Sequence, residues 1–302
     1  MAPCVHLPGM TTDCVTGATS FTGRFIARRL TEAGHEVRNL GRADLADTDR
    51  LAAALSGTDT LYNTFWIRFE RGPVTYRWAI ERSRVLFDAA RRAGVRRIVH
   101  LSVINAAHDA PTAYFRAKAV VEDALRASGV GHAIIRPTVT FGPGDILVNN
   151  LAWTLRRLPV FGIPGDGRYP IQPVHVEDVA EVAVRAGGMA EDLALDAGGP
   201  DILTFDEFVA LVRHAIGSRA LLVHMPVVAS LAAAKVIGLL VRDVVLTRHE
   251  VTELQRHLMF SREPPAGTIG LADWLTANAD GLGRRWASEL ERHFRRPQEV
   301  DG

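Results

Sequence analysis

Tyr114 and Lys118 stand four residues apart, and in a helix that spacing puts both side chains on one face. A phenol can give or take a proton, and an ammonium beside it stabilises the phenolate and draws its pKa towards working pH. The chain has four tyrosines and two lysines, so a chance Tyr-x-x-x-Lys is expected well under once at this length. The alternative for the pair is a solvated helix surface. A third group is needed to polarise a reacting oxygen. Ser102, which ends the apolar run Ile98-Val99-His100-Leu101, is the first candidate and Asn105 the second.

A second constellation, Thr16-Gly17-Ala18-Thr19-Ser20-Phe21-Thr22-Gly23, falls between a strand and a helix. Backbone N–H groups and the positive helix end can hold a dinucleotide pyrophosphate there. Gly17 permits the tight turn and Gly23 close packing of helix on strand, while Ser20 replaces the middle glycine of the Gly-x-x-Gly-x-x-Gly spacing. Taken alone, the loop also fits an ordinary turn. At the end of the second strand an acidic side chain would bind the adenosine ribose hydroxyls, but Gly41-Arg42 occupies that place. Arg42 and Arg24 can pair with a 2′-phosphate, or serve as solvated charges. The balance favours NADP, with NAD the alternative.

These groups need a scaffold, and the chain alternates short apolar runs with amphipathic segments from Cys14 to Pro137. Strands are expected at Cys14–Thr16, Glu36–Leu40, Thr60–Phe65, Arg97–Ser102 and His132–Arg136. Helices are expected at Gly23–Ala33, up to Leu55, at Val74–Ala93 and at Tyr114–Ala127. This is a doubly wound parallel-sheet α/β domain, assigned to residues 12–180. Beyond Pro137 the regularity fades, and Thr204-Phe205-Asp206-Glu207 forms a capping box ahead of the helix Phe208–Ile216. Residues 181–294 are read as a smaller, mostly helical substrate-side region, with 140–170 contributing to the cleft. The termini, 1–11 and 295–302, are expected to be loose.

Composition narrows the function. Of 302 residues, 35 are basic and 34 acidic, and a net charge of +1 provides no field for nucleic acid. An apolar fraction of 47% fits a sizeable buried core. Two cysteines, Cys4 and Cys14, are too few for a disulfide framework, which places the chain in the cytoplasm. Met1–Met10 has no basic segment ahead of an apolar stretch. Ala220–Ala234 is the longest uncharged apolar run, too short for a membrane span and read as a buried helix. Neither lysine follows a glycine-rich loop, His249-Glu250 and His35-Glu36 lack a second zinc histidine, and no Gly-x-Ser-x-Gly elbow occurs.

The chain resembles the short-chain dehydrogenase/reductase superfamily, in its extended and atypical branches, which include the NmrA-like proteins and the NAD(P)H-binding accessory subunit of respiratory complex I. The likeness rests on the Thr16–Gly23 loop, Asp44-Leu45, Tyr114-Phe115-Arg116-Ala117-Lys118, Arg136-Pro137-Thr138 and Val174-His175-Val176-Glu177-Asp178-Val179-Ala180. Gly199-Pro200-Asp201-Ile202-Leu203-Thr204-Phe205 looks like the complex I branch, and Asp13 departs from a usually more apolar first strand. The resemblance implies a Rossmann fold in which Gly17, Thr19, Ser20, Phe21, Gly23 and Arg24 bind the cofactor. Asp44 and Leu45 would then flank the adenine, Asn63, Thr64 and Phe65 line the cofactor, and Pro137, Thr138 and Val139 contact the nicotinamide. Tyr114 would be the general acid or base and Lys118 would also hold the nicotinamide ribose. The implied activity is NAD(P)-dependent oxidation or reduction of a small organic substrate. An epimerase that retains its cofactor would use the same residues, and a non-catalytic NAD(P)H-binding sensor or assembly protein is the contrasting class.

Overall fold

The structure, a computed structural model, describes residues 11–41, 44–46 and 48–294. Arg42 and the termini expected to be loose, apart from Thr11, lie outside the described residues. The first half runs β1 (Thr12–Thr16), α1 (Gly23–Glu32), β2 (Glu36–Leu40), a 3-10 turn (Asp44–Ala46), α2 (Thr48–Leu55), β3 (Thr60–Asn63), α3 (Tyr76–Arg92), β4 (Arg97–Leu101), α4 (Ala113–Arg126) and β5 (Gly131–Pro137). The second half runs β6 (Val139–Phe141), α5 (Leu147–Arg157), β7 (Val160–Pro164), β8 (Pro170–Ile171), β9 (Pro173–His175), α6 (Val176–Gly187), β10 (Leu193–Ala197), β11 (Leu203–Thr204), α7 (Phe205–Ala215), β12 (Leu221–Met225), α8 (Val227–Val241), α9 (Arg248–Gln255), α10 (Leu271–Asn278) and α11 (Glu289–Phe294).

Six parallel strands form one sheet in the order β10-β5-β4-β3-β1-β2. Every residue of β1, β3 and β4 is buried, as a strand covered by helices on both faces requires. One layer, α1 and α6, packs Phe25, Ile26, Leu30, Val179 and Ala183 against Val15, Val99 and Ile135. The other packs α2, α3 and α4 through Leu51, Leu86, Phe87 and Val121 against Leu61, Ile98 and Ile134. The strand order reverses between β1 and β3, so the connections leaving their carboxyl ends diverge and open a crevice there.

The sheet corrects the expected boundary at residue 180, because its sixth strand, β10, pairs with β5 from beyond that position. Asp13 lies within β1 and does not interrupt it: it is 1% exposed, and its Oδ2 lies 2.6 Å from His35 Nδ1. Burial pushes its carboxyl up, against the opposing pull of His35. The capping box forms as expected, with the Thr204 hydroxyl and the Glu207 carboxylate each accepting from the other's backbone. The run Ala220–Ala234 does not form one buried helix. Pro226 divides it into β12 and the start of α8, and both are largely exposed.

The remaining elements gather around Phe141, Leu151, Phe208, Val212 and Trp274 in a separate core. Side-chain clamps join it to the sheet domain. Arg68 pairs with Glu250 and, at 3.1 Å, with Glu289, and the Asp178 carboxylate accepts from the N–H groups of Thr268 and Ile269.

Candidate functional site

The inward face of α4 carries Tyr114, Lys118 and Glu122, one turn apart in succession, beneath the carboxyl ends of β4 and β5. Lys118 is 2% exposed; its Nζ donates to the Leu101 carbonyl at 2.7 Å and lies 4.5 Å from the centre of the Trp66 ring. Burial pulls its pKa down to about 7, and Glu122 only partly opposes this. Buried His100 lies behind it, its Nδ1 3.0 Å from the Asn63 amide and its Nε2 without a partner among the described residues. Burial, and then the charge of Lys118, hold the imidazole far below its ordinary pKa.

Tyr114 sits among aromatic rings, edge-on to Trp66 at 6.3 Å and to Tyr76 at 6.1 Å. Burial raises the phenol above its usual range, and the charge of Glu253 raises it further. The tyrosine and lysine share a face of α4 as the spacing requires, and Lys118 is turned to Leu101 and Trp66. Glu253 itself is 6% exposed, and one of its oxygens accepts from the Thr112 hydroxyl at 2.8 Å. Burial, with Glu250 adding to it, pushes its carboxyl up to about 7 despite that bond.

Ser102 is placed differently from the expectation. Its hydroxyl donates to Glu122 Oε1 at 2.5 Å, and Arg136 and Arg126 hold the same carboxylate. Burial alone would raise Glu122, but the hydrogen bonds from Arg136 and Ser102 outweigh it and keep the carboxyl below its ordinary range. With its proton given to a charged acceptor, Ser102 has only lone pairs left to offer a substrate in this arrangement. The second candidate, Asn105, donates to the carbonyls of Leu258 and Phe260, and so ties the end of β4 to the C-terminal region.

The glycine loop opens onto the same crevice. Gly17 adopts φ +64°, and its N–H donates to the Leu40 carbonyl at 2.8 Å. A Cβ at Gly23 would lie 2.9 Å from the Gly17 carbonyl carbon and closer still to its oxygen, so helix and loop approach as only glycine allows. The Ser20 hydroxyl accepts from Gly23 N at 3.3 Å, which makes it a brace inside the loop. Ala18 N is taken by Asn39 Oδ1, whereas the N–H groups of Thr19, Phe21 and Thr22 meet no acceptor among the described residues. Three free donors beside the N-terminus of α1, around a glycine contact that a side chain would fill, fit a dinucleotide pyrophosphate.

The other expected residues divide into supports and surfaces. Asn63 is fully buried, its Oδ1 accepting from the Thr16 hydroxyl, and so supports the crevice floor without facing it. The Thr64 hydroxyl donates to the Thr16 carbonyl, and the Thr16 hydroxyl accepts from the backbone of Thr64 and Phe65. Asp44 caps the turn after β2 by accepting from Gly41 N at 2.7 Å, and Leu45 is buried in the core. Pro137 ends β5, Thr138 N donates to the Ala197 carbonyl, and Val139 N to that of Gln172. Thr138 Oγ1 is buried without a partner among the described residues. Arg24 is exposed, stacks over Phe25 at 5.0 Å and donates to the Pro143 carbonyl.

Glu253, Glu122 and Trp66 shape the site; Trp66 is among the aromatic residues that the sequence offers for a pocket, while the motifs mark neither glutamate. Glu122 could be read from the helical register, since it follows Lys118 by one turn. Glu253 reaches the site from a distant helix, and no spacing links it to Tyr114.

A model of the NAD dependent epimerase/dehydratase family matches residues 14–194. NADH dehydrogenase (ubiquinone) 1 alpha subcomplex subunit 9 of Arabidopsis thaliana is 24% identical over 239 residues, which are 70% of this chain and 60% of that protein. The chain thus spans about three fifths of the length of the first curated relatives it matches. The (4-alkanoyl-5-oxo-2,5-dihydrofuran-3-yl)methyl phosphate reductase of Streptomyces griseus is 32% identical, covering 67% of this chain and 73% of the reductase. Among solved structures, the triphenylmethane reductase of Citrobacter sp. superposes with a TM-score of 0.68 at 18% identity, over 89% of this chain and all of that one.

Proposed function

The chain belongs to the NAD dependent epimerase/dehydratase family, and from that premise we propose that it is an NAD(P)-dependent oxidoreductase of a small organic carbonyl or its alcohol, with NADP preferred. The observation that carries this is the α4 face, where Tyr114 and Lys118 lie one turn apart beside the crevice onto which the free loop donors open. Bound, the dinucleotide supplies or accepts hydride. The N–H groups of Thr19, Phe21 and Thr22 would hold its pyrophosphate, and Lys118 would hold the nicotinamide ribose on releasing the Leu101 carbonyl. The Tyr114 phenol would be the group that protonates the carbonyl oxygen of the substrate. Glu253, protonated in part near neutral pH, returns a proton to the phenolate. The 32% identical phosphate reductase of Streptomyces griseus supports reduction, and the epimerases among the structural neighbours keep an epimerase with retained cofactor as the variant within the same class. The proposed compartment is the cytoplasm.

A second reading, a dinucleotide-binding protein without turnover, is favoured by the commitment of Ser102 to Glu122 and by the raised Tyr114 phenol. Fluorescence titration with NADPH and NADH, followed by turnover assays against a carbonyl panel, separates the two. The enzyme reading expects tighter NADPH binding and a Tyr114→Phe variant that binds normally but turns over about 10²-fold more slowly. Absence of binding to either dinucleotide overturns both readings.

A further inference from the structure

α8 turns its apolar side outward. Its sequence from Val227 to Val241 contains one charge, Lys235, and only Ser230, Ala234 and Gly238 are buried. Those three small residues recur every four positions and form a narrow stripe against the body. Val228, Val236, Leu239 and Leu240 are 79%, 59%, 73% and 79% exposed. Beside the helix, Leu221 and Val223 of β12 are 63% and 42% exposed. A contiguous apolar face of this kind on a chain otherwise buried with care marks a contact surface.

Between residues 219 and 249 the exposed Arg and Lys side chains, Arg219, Lys235, Arg242 and Arg248, have no exposed acid among them, and His224 of β12 faces Asp206. The single acid in that span, Asp243, is buried and accepts from the Trp286 indole and from the backbone N–H groups of Glu289 and Leu290 at the start of α11. Trp286 packs edge-on against Trp153 at 5.1 Å, and Arg157 lies 4.5 Å over the Trp153 ring. Arg157 in turn lines a cavity of about 930 Å³ together with Arg156, Arg219 and Arg284.

We propose that α8 docks on the surface of an anionic phospholipid bilayer, its leucines and valines in the acyl boundary and Lys235, Arg242 and Arg219 on lipid phosphates. At 15 residues the helix is shorter than the roughly 20 that a span requires, so it lies in the plane of the interface. No helix among the described residues is long and apolar enough to cross a membrane. A second copy of the chain fits less well. A second copy docked through this face would bring a second set of Lys235 and Arg242 to the same interface, whereas lipid phosphates pair them.

Sedimentation of the full chain with vesicles tests this. The protein should pellet with phosphatidylcholine vesicles carrying about one third phosphatidylglycerol, bind pure phosphatidylcholine more weakly, and be released by salt. Leu239→Glu with Leu240→Glu should reduce binding at least about tenfold, and Lys235→Glu at least about fivefold on anionic vesicles only. These positions are exposed, so an unchanged melting temperature and unchanged NADPH titration verify folding. The proposal is overturned if the wild type stays in the supernatant with anionic vesicles, or if Leu239→Glu with Leu240→Glu pellets as before. It is also overturned if light scattering shows a dimer that this double variant dissociates.

Discussion

Replacing Lys118 by methionine should abolish a specific part of the pH dependence of stability. The amine is 2% exposed, and burial draws its pKa from 10.5 down to about 7. Between those values the folded protein has released a proton that the unfolded chain still holds. Stability therefore rises with pH across that window and is lost as pH falls from 10.5 towards 7. Integrated from pH 7 to pH 9, this one group contributes about 2 kcal/mol. Glu253 works in the opposite sense, but its contribution is lost mainly between pH 4.5 and 7 and is common to both proteins. Urea unfolding of cofactor-free wild type and Lys118→Met at pH 7 and pH 9 gives the difference directly, because the other groups cancel. The wild type should gain about 2 kcal/mol more than the variant on going to pH 9. Equal gains would mean that Lys118 keeps its ordinary basicity, and that neither its bond to Leu101 nor its place over Trp66 comes with desolvation of the kind described.

Gly23→Ala should weaken NADPH binding at least about tenfold in calorimetric titration, because the new methyl would overlap the Gly17 carbonyl and force the loop donors apart. Ser102→Ala should cost about 2 kcal/mol in urea unfolding, the value of a buried hydrogen bond to a charged carboxylate, while turnover stays within about twofold of wild type. A large loss of turnover at unchanged stability would return Ser102 to the substrate. For Glu253→Gln, the pH–rate profile should lose a descending limb near pH 7, since the wild-type carboxyl can supply a proton only below its raised pKa. A limb that persists unchanged would remove Glu253 from the proton path.

The sheet was legible because periodicity and turn residues agree along the first half of the chain. Apolar runs gave β1 to β5 to within a few residues, and Gly23, Thr16 and the Tyr114–Lys118 spacing placed the crevice at the reversal between β1 and β3. Function-bearing detail was harder to read where a side chain's partner lies far away in sequence. Ser102 occupies the strand end as its position requires, yet its proton goes to Glu122, whose charge is stabilised by Arg136 and Arg126. Asn63 ends its strand as a cofactor contact would, but the Thr16 hydroxyl and His100 hold it beneath the floor. The apolar composition of 220–234 was sound evidence for a helix or strand and no evidence for burial. Hydrophobicity reports a preference that only the surrounding fold can satisfy or leave open.

Arg97 shows why the chain cannot be divided at residue 180. It begins β4 at 1% exposure, and its guanidinium donates to the carbonyls of Ala186 and Glu191 at 2.8 and 2.7 Å. A buried guanidinium without acceptors carries a desolvation penalty of several kcal/mol, so the loop between α6 and β10 is as much a part of the sheet domain as β4 itself. Dependence runs the other way at the crevice, where Thr112 and Asn105, at the start of α4 and the end of β4, are bonded to Glu253, Leu258 and Phe260 from the second half. The one acid with a near-neutral pKa beside Tyr114 is therefore brought in by the region that the sequence pattern describes least. In this chain the sheet supplies the crevice, and the C-terminal region supplies Glu253, whose charge adds to burial in raising the Tyr114 phenol.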